Sequence, residues 1–225
     1  MDKFSTTFFK TTEAIKSFSK YPFHIFSQGG MRSGKTVADD QISLLSAMHS
    51  EIPIIIKVLG QSVPFLRENV YPDYRMLLAE DGYNFDKLFH KTERTLKIGN
   101  AQILFVSVDE DKALGGQHDI VHVVECNARP FTWEIMHQIM ARTKMFGLYD
   151  FNPKQQYWYH DHVAGNKEFD SKLIKSTYRD NEFIPEGIKR TLENAKSGTN
   201  WYRVFVDGEL GESEGVIFNI WTYGE

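Results

Sequence analysis

Gly29-Gly30-Met31-Arg32-Ser33-Gly34-Lys35-Thr36 sets the architecture of this chain. It fits G-x-x-x-x-G-K-[ST], the pattern of a loop that wraps nucleotide phosphates. Glycine at 29, 30 and 34 lets the backbone turn its N–H groups inward as a nest for an anion. Lys35 adds a point charge for the β and γ phosphates of ATP, and Thr36 offers a hydroxyl to Mg²⁺. The flanks agree with this reading. Tyr21 to Phe26 is short and mostly apolar, as a strand, and Val37, Ile42, Leu44, Leu45 and Met48 follow at helical spacing, so the loop closes onto a helix N-terminus whose dipole favours phosphate. Tyr21, Phe23 or Gln28, just ahead of the loop, are candidates to meet the adenine.

The chain has 225 residues, 41% of them hydrophobic, which suits one large α/β domain or one domain with an appendage. A net charge of -4 argues against a surface that grips nucleic acid everywhere and leaves room for a local basic patch, for which Lys167, Lys172, Lys175, Lys189 and Arg190 are candidates. Cys126 is the lone cysteine, so no disulfide framework forms within the chain and a reducing, intracellular setting is expected. No stretch reaches 18 apolar residues and no membrane association is expected.

Beyond the loop, Ile52 to Leu59 reads as a buried strand, and Val63 to Leu78 as a helical region that Pro72 must bend or break. Two strands meet at the Gly99-Asn100 turn, and a further buried strand, Ile120 to Val124, ends on Glu125. A carboxylate where an apolar strand runs out, downstream of a phosphate loop, is the expected second half of a triphosphatase site. Such sites usually pair two acids. Here Val124-Glu125-Cys126 offers one, so Glu125 covers both the metal and the water, or Asp119, Asp150 or another residue joins it. A helix over Trp133 to Met140 is followed by Arg142, either a γ-phosphate sensor or a solvent arginine. The strand Met145 to Tyr149 then delivers Asp150 and Asn152 to the crevice where open α/β sheets bind ligands, positions suited to passing the loss of a phosphate on to the lid downstream. His160, Asp161 and His162 lack a third ligand group of suitable geometry for a metal. Lys172 to Tyr178 reads as a strand and Ile184 to Ala195 as a helix, while the aromatic bulk of Trp201 to Val206 leans towards strand.

In their order, the phosphate loop, the Glu125 and Asn127 segment, Tyr149-Asp150-Phe151-Asn152-Pro153, Ser176-Thr177-Tyr178-Arg179-Asp180-Asn181 and the tail from Gly198 to Phe218 resemble the large terminase subunit of tailed bacteriophages. The resemblance runs through nearly the whole chain. It implies an α/β P-loop NTPase of the ASCE type, a mostly parallel sheet flanked by helices with a small C-terminal lid or linker region, and the glutamate strand next to the phosphate-loop strand. It also implies an ATPase motor domain over residues 1–207 and, over 208–225, a linker towards a nuclease domain absent from this chain. The implied work is Mg²⁺-dependent ATP hydrolysis that drives double-stranded DNA into a procapsid, in the host cytoplasm, by a homo-oligomeric ring on the capsid portal together with the small terminase subunit. Glu125 corresponds to the catalytic glutamate and Asp150-Phe151-Asn152 to the coupling segment. Many members carry an arginine at the position of Met31, here next to Arg32, and the ring motors use an arginine from a neighbouring subunit, for which Arg142 is the first candidate and Arg129 the second. The alternatives are another ASCE translocase or helicase-like NTPase, and a nucleotide-gated assembly module without useful turnover; a Glu125 remote from the phosphate pocket would favour the module.

Overall fold

The computed structural model describes residues 3–212. Helix α1 (Thr6–Lys16) starts where Ser5 accepts the Phe8 N–H, and leads to β1 (Phe23–Gly29), the phosphate loop and α2 (Lys35–His49). Strand β2 (Ile54–Gly60) follows. The next helical region is α3 (Val63–Phe65), a π-turn over Leu66–Val70, and α4 (Tyr71–Glu80). Pro72 has no N–H and opens α4, and the π-turn, in which the Tyr71 N–H reaches Leu66 O, absorbs the break that this residue demanded. Then come α5 (Phe85–Leu88), β3 (Phe89–His90), β4 (Thr95–Ile98), β5 (Ala101–Ser107) and α6 (Asp111–Leu114). They are followed by β6 (His118–Val123), α7 (Trp133–Met140), β7 (Thr143–Phe151), a π-turn at Tyr159–Val163 and β8 (Ser171–Ser176). A 3₁₀ turn at Tyr178–Asp180, α8 (Glu186–Glu193) and α9 (Asn200–Phe205) complete the described chain.

The strands form one sheet of order β3-β4-β5-β2-β6-β7-β1-β8, parallel from β5 to β8 and antiparallel at the β3–β4–β5 edge. Because side chains alternate along a strand, each central strand feeds two cores. Ile25, Val58, Ile120 and Leu148 join the core under α1, α2 and α4, while their neighbours Phe26, Leu59, Val121 and Tyr149 join the core under α7 and the Tyr157–Tyr159 segment. No helix of the described residues is long and apolar enough to cross a membrane.

Four expectations change. Strand β7 lies between β6 and β1, so the glutamate strand is not adjacent to the phosphate-loop strand. Strand β6 stops at Val123, two residues short of Glu125, which sits in a turn with φ of 53°. Trp201 to Phe205 is helical: Thr199 accepts the Tyr202 N–H as an N-cap, a local signal that outweighs the strand preference of its aromatic residues. Tyr21 and Phe23 stand at the amino end of β1, far from the loop, where Phe23 stacks on Phe18, Tyr21 and Phe146. Of the linker expected over 208–225, residues 213–225 lie outside the described residues.

Candidate active site

Positive φ at Arg32 (58°) and Gly34 (79°) curls the phosphate loop before α2, and Gly34 occupies the helix N-cap. Lys35 is 8% exposed, and its Nζ donates to Gly30 O at 3.3 Å. Burial lowers the pKa of this lysine, opposed by the charges of Asp150, Glu125 and Asp39. A triphosphate in the cleft would supply more negative charge to a cation that is short of solvent.

Glu125 faces the same cleft. A volume of about 280 Å³ is lined by Arg32 to Val37 on one side and by Val124, Glu125, Asn69, Asp73 and Asn181 on the others. Glu125 is half-buried, and burial, then Asp150, raises its pKa, which suits a carboxylate that must accept a proton. Its turn is fixed on both sides: Val124 N–H donates to Leu59 O at 2.9 Å, Cys126 N–H to Asp150 O at 2.9 Å, and Glu125 N–H to Asp150 Oδ1 at 3.3 Å.

The two halves of the site are also tied by side-chain amides. Asn127 Nδ2 donates to Asn152 O at 2.8 Å, and Asn152 Nδ2 donates to Gly29 O at 2.7 Å. One short chain of contacts thus runs from the Glu125 turn through the end of β7 to the entry of the phosphate loop.

Gly29, Gly30 and Met31 do not line the cleft; they are covered from behind. Gly30 N–H donates to Ser176 O at 3.2 Å and Met31 N–H to Phe205 O at 2.7 Å. Gln28 is corrected here: it is 3% exposed and its amide donates to Gly208 O at 2.8 Å, so it braces the C-terminal segment and does not reach a base. Ser33 is buried, its carbonyl accepting from Thr7 at 2.6 Å, and Arg32 O accepts from Asn181 at 2.8 Å. The nest left for an anion is therefore Arg32 to Thr36.

Arg142 precedes β7 at the amino end, and its guanidinium donates to Gln138 O at 2.9 Å. The length of β7, about 26 Å at the usual rise per residue, separates it from the cleft of its own chain. Arg129 is exposed on the loop after Glu125, at the carboxyl end of the sheet. Asp119 is excluded as a second acid beside Glu125, because it lies near the start of β6 and accepts the Ile55 N–H at 2.8 Å. Asp150 is 0% exposed, beneath Glu125, with both oxygens engaged, by Glu125 N–H and by His122 Nε2 at 3.1 Å.

A second cavity of about 510 Å³ shares Arg32, Gly34, Val37, Asp73 and Asn181 with the first and adds Met76, Phe183, Ile184 and Pro185. Its apolar walls were not singled out in the sequence. Asp73 and Asn181 were legible only as a residue beside Pro72 and as the end of a recognisable segment.

A family model described as the phage terminase large subunit matches residues 22–209. The chain belongs to the terminase large subunit family. No curated protein matches it. Among solved structures, the large terminase of a thermophilic bacteriophage superposes with a TM-score of 0.76 at 17% identity over 98% of this chain and 57% of that one. The same phage enzyme in complex with ATP-gamma-S gives 0.70 at 18% identity over 92% of this chain and 52% of that one. The large terminase of bacteriophage HK97 gives 0.66 at 11% identity, over 90% and 50% of the respective chains. The terminase chain spans about half the length of these relatives and has their α/β fold, a P-loop NTPase of the ASCE type.

Proposed function

We propose that this chain is the ATPase motor domain of a terminase large subunit, hydrolysing ATP to move double-stranded DNA into a procapsid. The observation that carries the reading is the meeting of Lys35, Thr36 and Glu125 around one cleft in a member of this family. The thermophilic phage enzyme has been seen with ADP and with ATP-gamma-S, which supports an adenine nucleotide as ligand. Lys35 and the Arg32–Thr36 N–H groups hold the phosphates. The adenosine fits the adjoining cavity, between Val37 and the Phe183–Pro185 wall. Thr36 and Glu125 form a donor set of a hydroxyl and a carboxylate that suits Mg²⁺, which when bound offsets phosphate charge. Glu125 takes the proton of the attacking water, and Arg32 stands at the cleft in cis.

Arg142 or Arg129 completes the site of a neighbouring subunit, in a ring on the capsid portal that works with the small subunit in the host cytoplasm. Asn152, hydrogen-bonded to Gly29, and Asp150, bonded to the Glu125 turn, pass the loss of the γ-phosphate to β7 and the segment after it. Residues 1–207 constitute the motor and 208–225 lead towards the nuclease domain.

The test is Mg²⁺-dependent ATP hydrolysis across a range of protein concentrations. Lys35→Ala and Glu125→Ala each lower turnover by about 100-fold or more, and activity per subunit rises with concentration. Parent-rate hydrolysis by Glu125→Ala would sink its role as base, and a flat concentration dependence would remove the neighbour's arginine.

A further inference from the structure

His122 belongs to the inward face of β6 and is fully buried, as are Asp39 and Asp40 of α2 and Asp150 of β7. Its Nδ1 lies 3.1 Å from Asp40 Oδ1 and its Nε2 lies 3.1 Å from Asp150 Oδ2, with Asp39 Oδ2 at 4.0 Å. A neutral imidazole carries one N–H and can donate to only one of these carboxylates. A ring with an acid beside each nitrogen favours the imidazolium, which offsets the negative charge of the two carboxylates that flank it.

The far side of this cluster is the hydrolytic site. Asp150 spends one oxygen on His122 and the other on the Glu125 N–H, and Glu125 needs that hold because its φ of 53° is unfavourable for a residue with a side chain. Where two acids in tandem would be usual, this chain has Val124, and a carboxylate reaches Glu125 from the neighbouring strand instead.

We propose that His122 is a positioning residue for ATP hydrolysis: clamped between Asp40 and Asp150, it fixes the carboxylate that holds the Glu125 turn against the phosphate cleft. Burial alone would strip a proton from this ring, yet its carboxylate partners hold its pKa up at about 10, while Asp39 is pushed up to about 8 by burial and keeps its proton. The same groups could be taken for a metal site, since ligand atoms of Asp39, His122 and Asp150 lie within 4.8 Å of one another. Against that, the ring nitrogen nearest Asp39 and Asp150 is Nε2, which is already hydrogen-bonded to Asp150 Oδ2, while Nδ1 stands at ion-pair distance from Asp40 without an aligned hydrogen bond.

The inference rests on the ATPase reading, and its test separates the two. The parent and His122→Gln are compared for kcat and KM with Mg-ATP, for ATP-gamma-S affinity, and for metal content after dialysis against chelator. The ring ¹⁵N spectrum of the parent is recorded at pH 8 and assigned through ring-to-backbone correlations in the parent itself. The expected result is a kcat lower by about 10- to 100-fold with KM and affinity within about twofold, no bound metal, and a doubly protonated His122 ring. An unchanged kcat in the variant, with the parent active, overturns the inference and leaves the ATPase reading standing. One metal ion per parent chain, lost in His122→Gln, overturns it in favour of a metal site. If the variant does not fold, or the parent shows no turnover, the ring spectrum decides: a singly protonated ring at pH 8 overturns the clamp.

Discussion

Gly30 is not required by the phosphate-loop pattern, but the structure gives it a reason. A methyl group built there lies 2.6 Å from Phe205 O and 3.0 Å from Val206 O, and its third neighbour is Phe205 C. All three are backbone atoms at the carboxyl end of α9, so no side chain can rotate out of the way. Ordinary contact begins near 3.4 Å, so Gly30→Ala must part the loop from α9 by about 0.8 Å. That separation breaks or stretches the adjacent Met31 N–H bond to Phe205 O, now 2.7 Å. Overpacking of this kind costs about 1–3 kcal/mol, and one lost hydrogen bond adds about 1 kcal/mol. The total, about 2–4 kcal/mol, corresponds for a chain of 225 residues to a fall in Tm of roughly 4–8 °C. The assay is thermal unfolding of Gly30→Ala beside Gly187→Ala, a helical position with nothing within 4 Å of the added methyl. The control gains about 0.5–1 kcal/mol from helix propensity. Nucleotide affinity of Gly30→Ala also falls, because the carbonyl that accepts from Lys35 belongs to the displaced residue. A Tm for Gly30→Ala within about 1 °C of the parent would refute the claim that α9 braces the loop.

Two further outcomes concern pH. Burial lowers His24 to about 4 from its ordinary 6.5, so the unfolded chain takes up a proton that the folded chain refuses. The associated stability is complete above pH 6.5 and is lost as pH falls towards 4, about 3 kcal/mol for this group; urea titrations at pH 7.5 and 4.5 measure it, and His24→Gln flattens the difference. Asp73, at the mouth of both cavities, is held up at about 7 mainly by burial, then by Asp40 and against Arg32. It ionises as pH rises through 7 and repels phosphate, so Mg-ADP affinity weakens by up to about tenfold per pH unit, and Asp73→Asn removes the slope in calorimetric titrations.

What could be read in the sequence was what is encoded locally. The phosphate loop, α2, the hairpin at Gly99-Asn100 and α7 over Trp133–Met140 all announce themselves by glycine chemistry or by periodicity within a few residues. α9 did not, because its cap at Thr199 competes with aromatic residues that favour strands when taken alone. The position of β7 between β6 and β1 had no local signature at all, since strand order is a property of crossovers and not of the strands they join.

The same distinction separates the two halves of the site. Lys35 and Thr36 lie within the motif, but the groups that give the loop its shape come from Thr7, Asn152, Ser176, Asn181 and Phe205, up to 174 positions away. Most of these contacts end on a loop main-chain atom, Gly29 O, Gly30 N, Met31 N, Arg32 O or Ser33 O, so each leaves the loop's side chains free for the nucleotide. The arrangement has a mechanical consequence. A loop gripped through its backbone by β7, β8, α1 and α9 cannot adjust to a phosphate without pulling on all four, and the Asn127–Asn152–Gly29 path makes the Glu125 turn part of the same body. An ionisable residue inside an apolar strand, as His122 is in Ile120-Val121-His122-Val123, was the sequence signal that this hidden half left behind. It was uninterpretable without Asp40 and Asp150, which the fold alone brings to its two ring nitrogens.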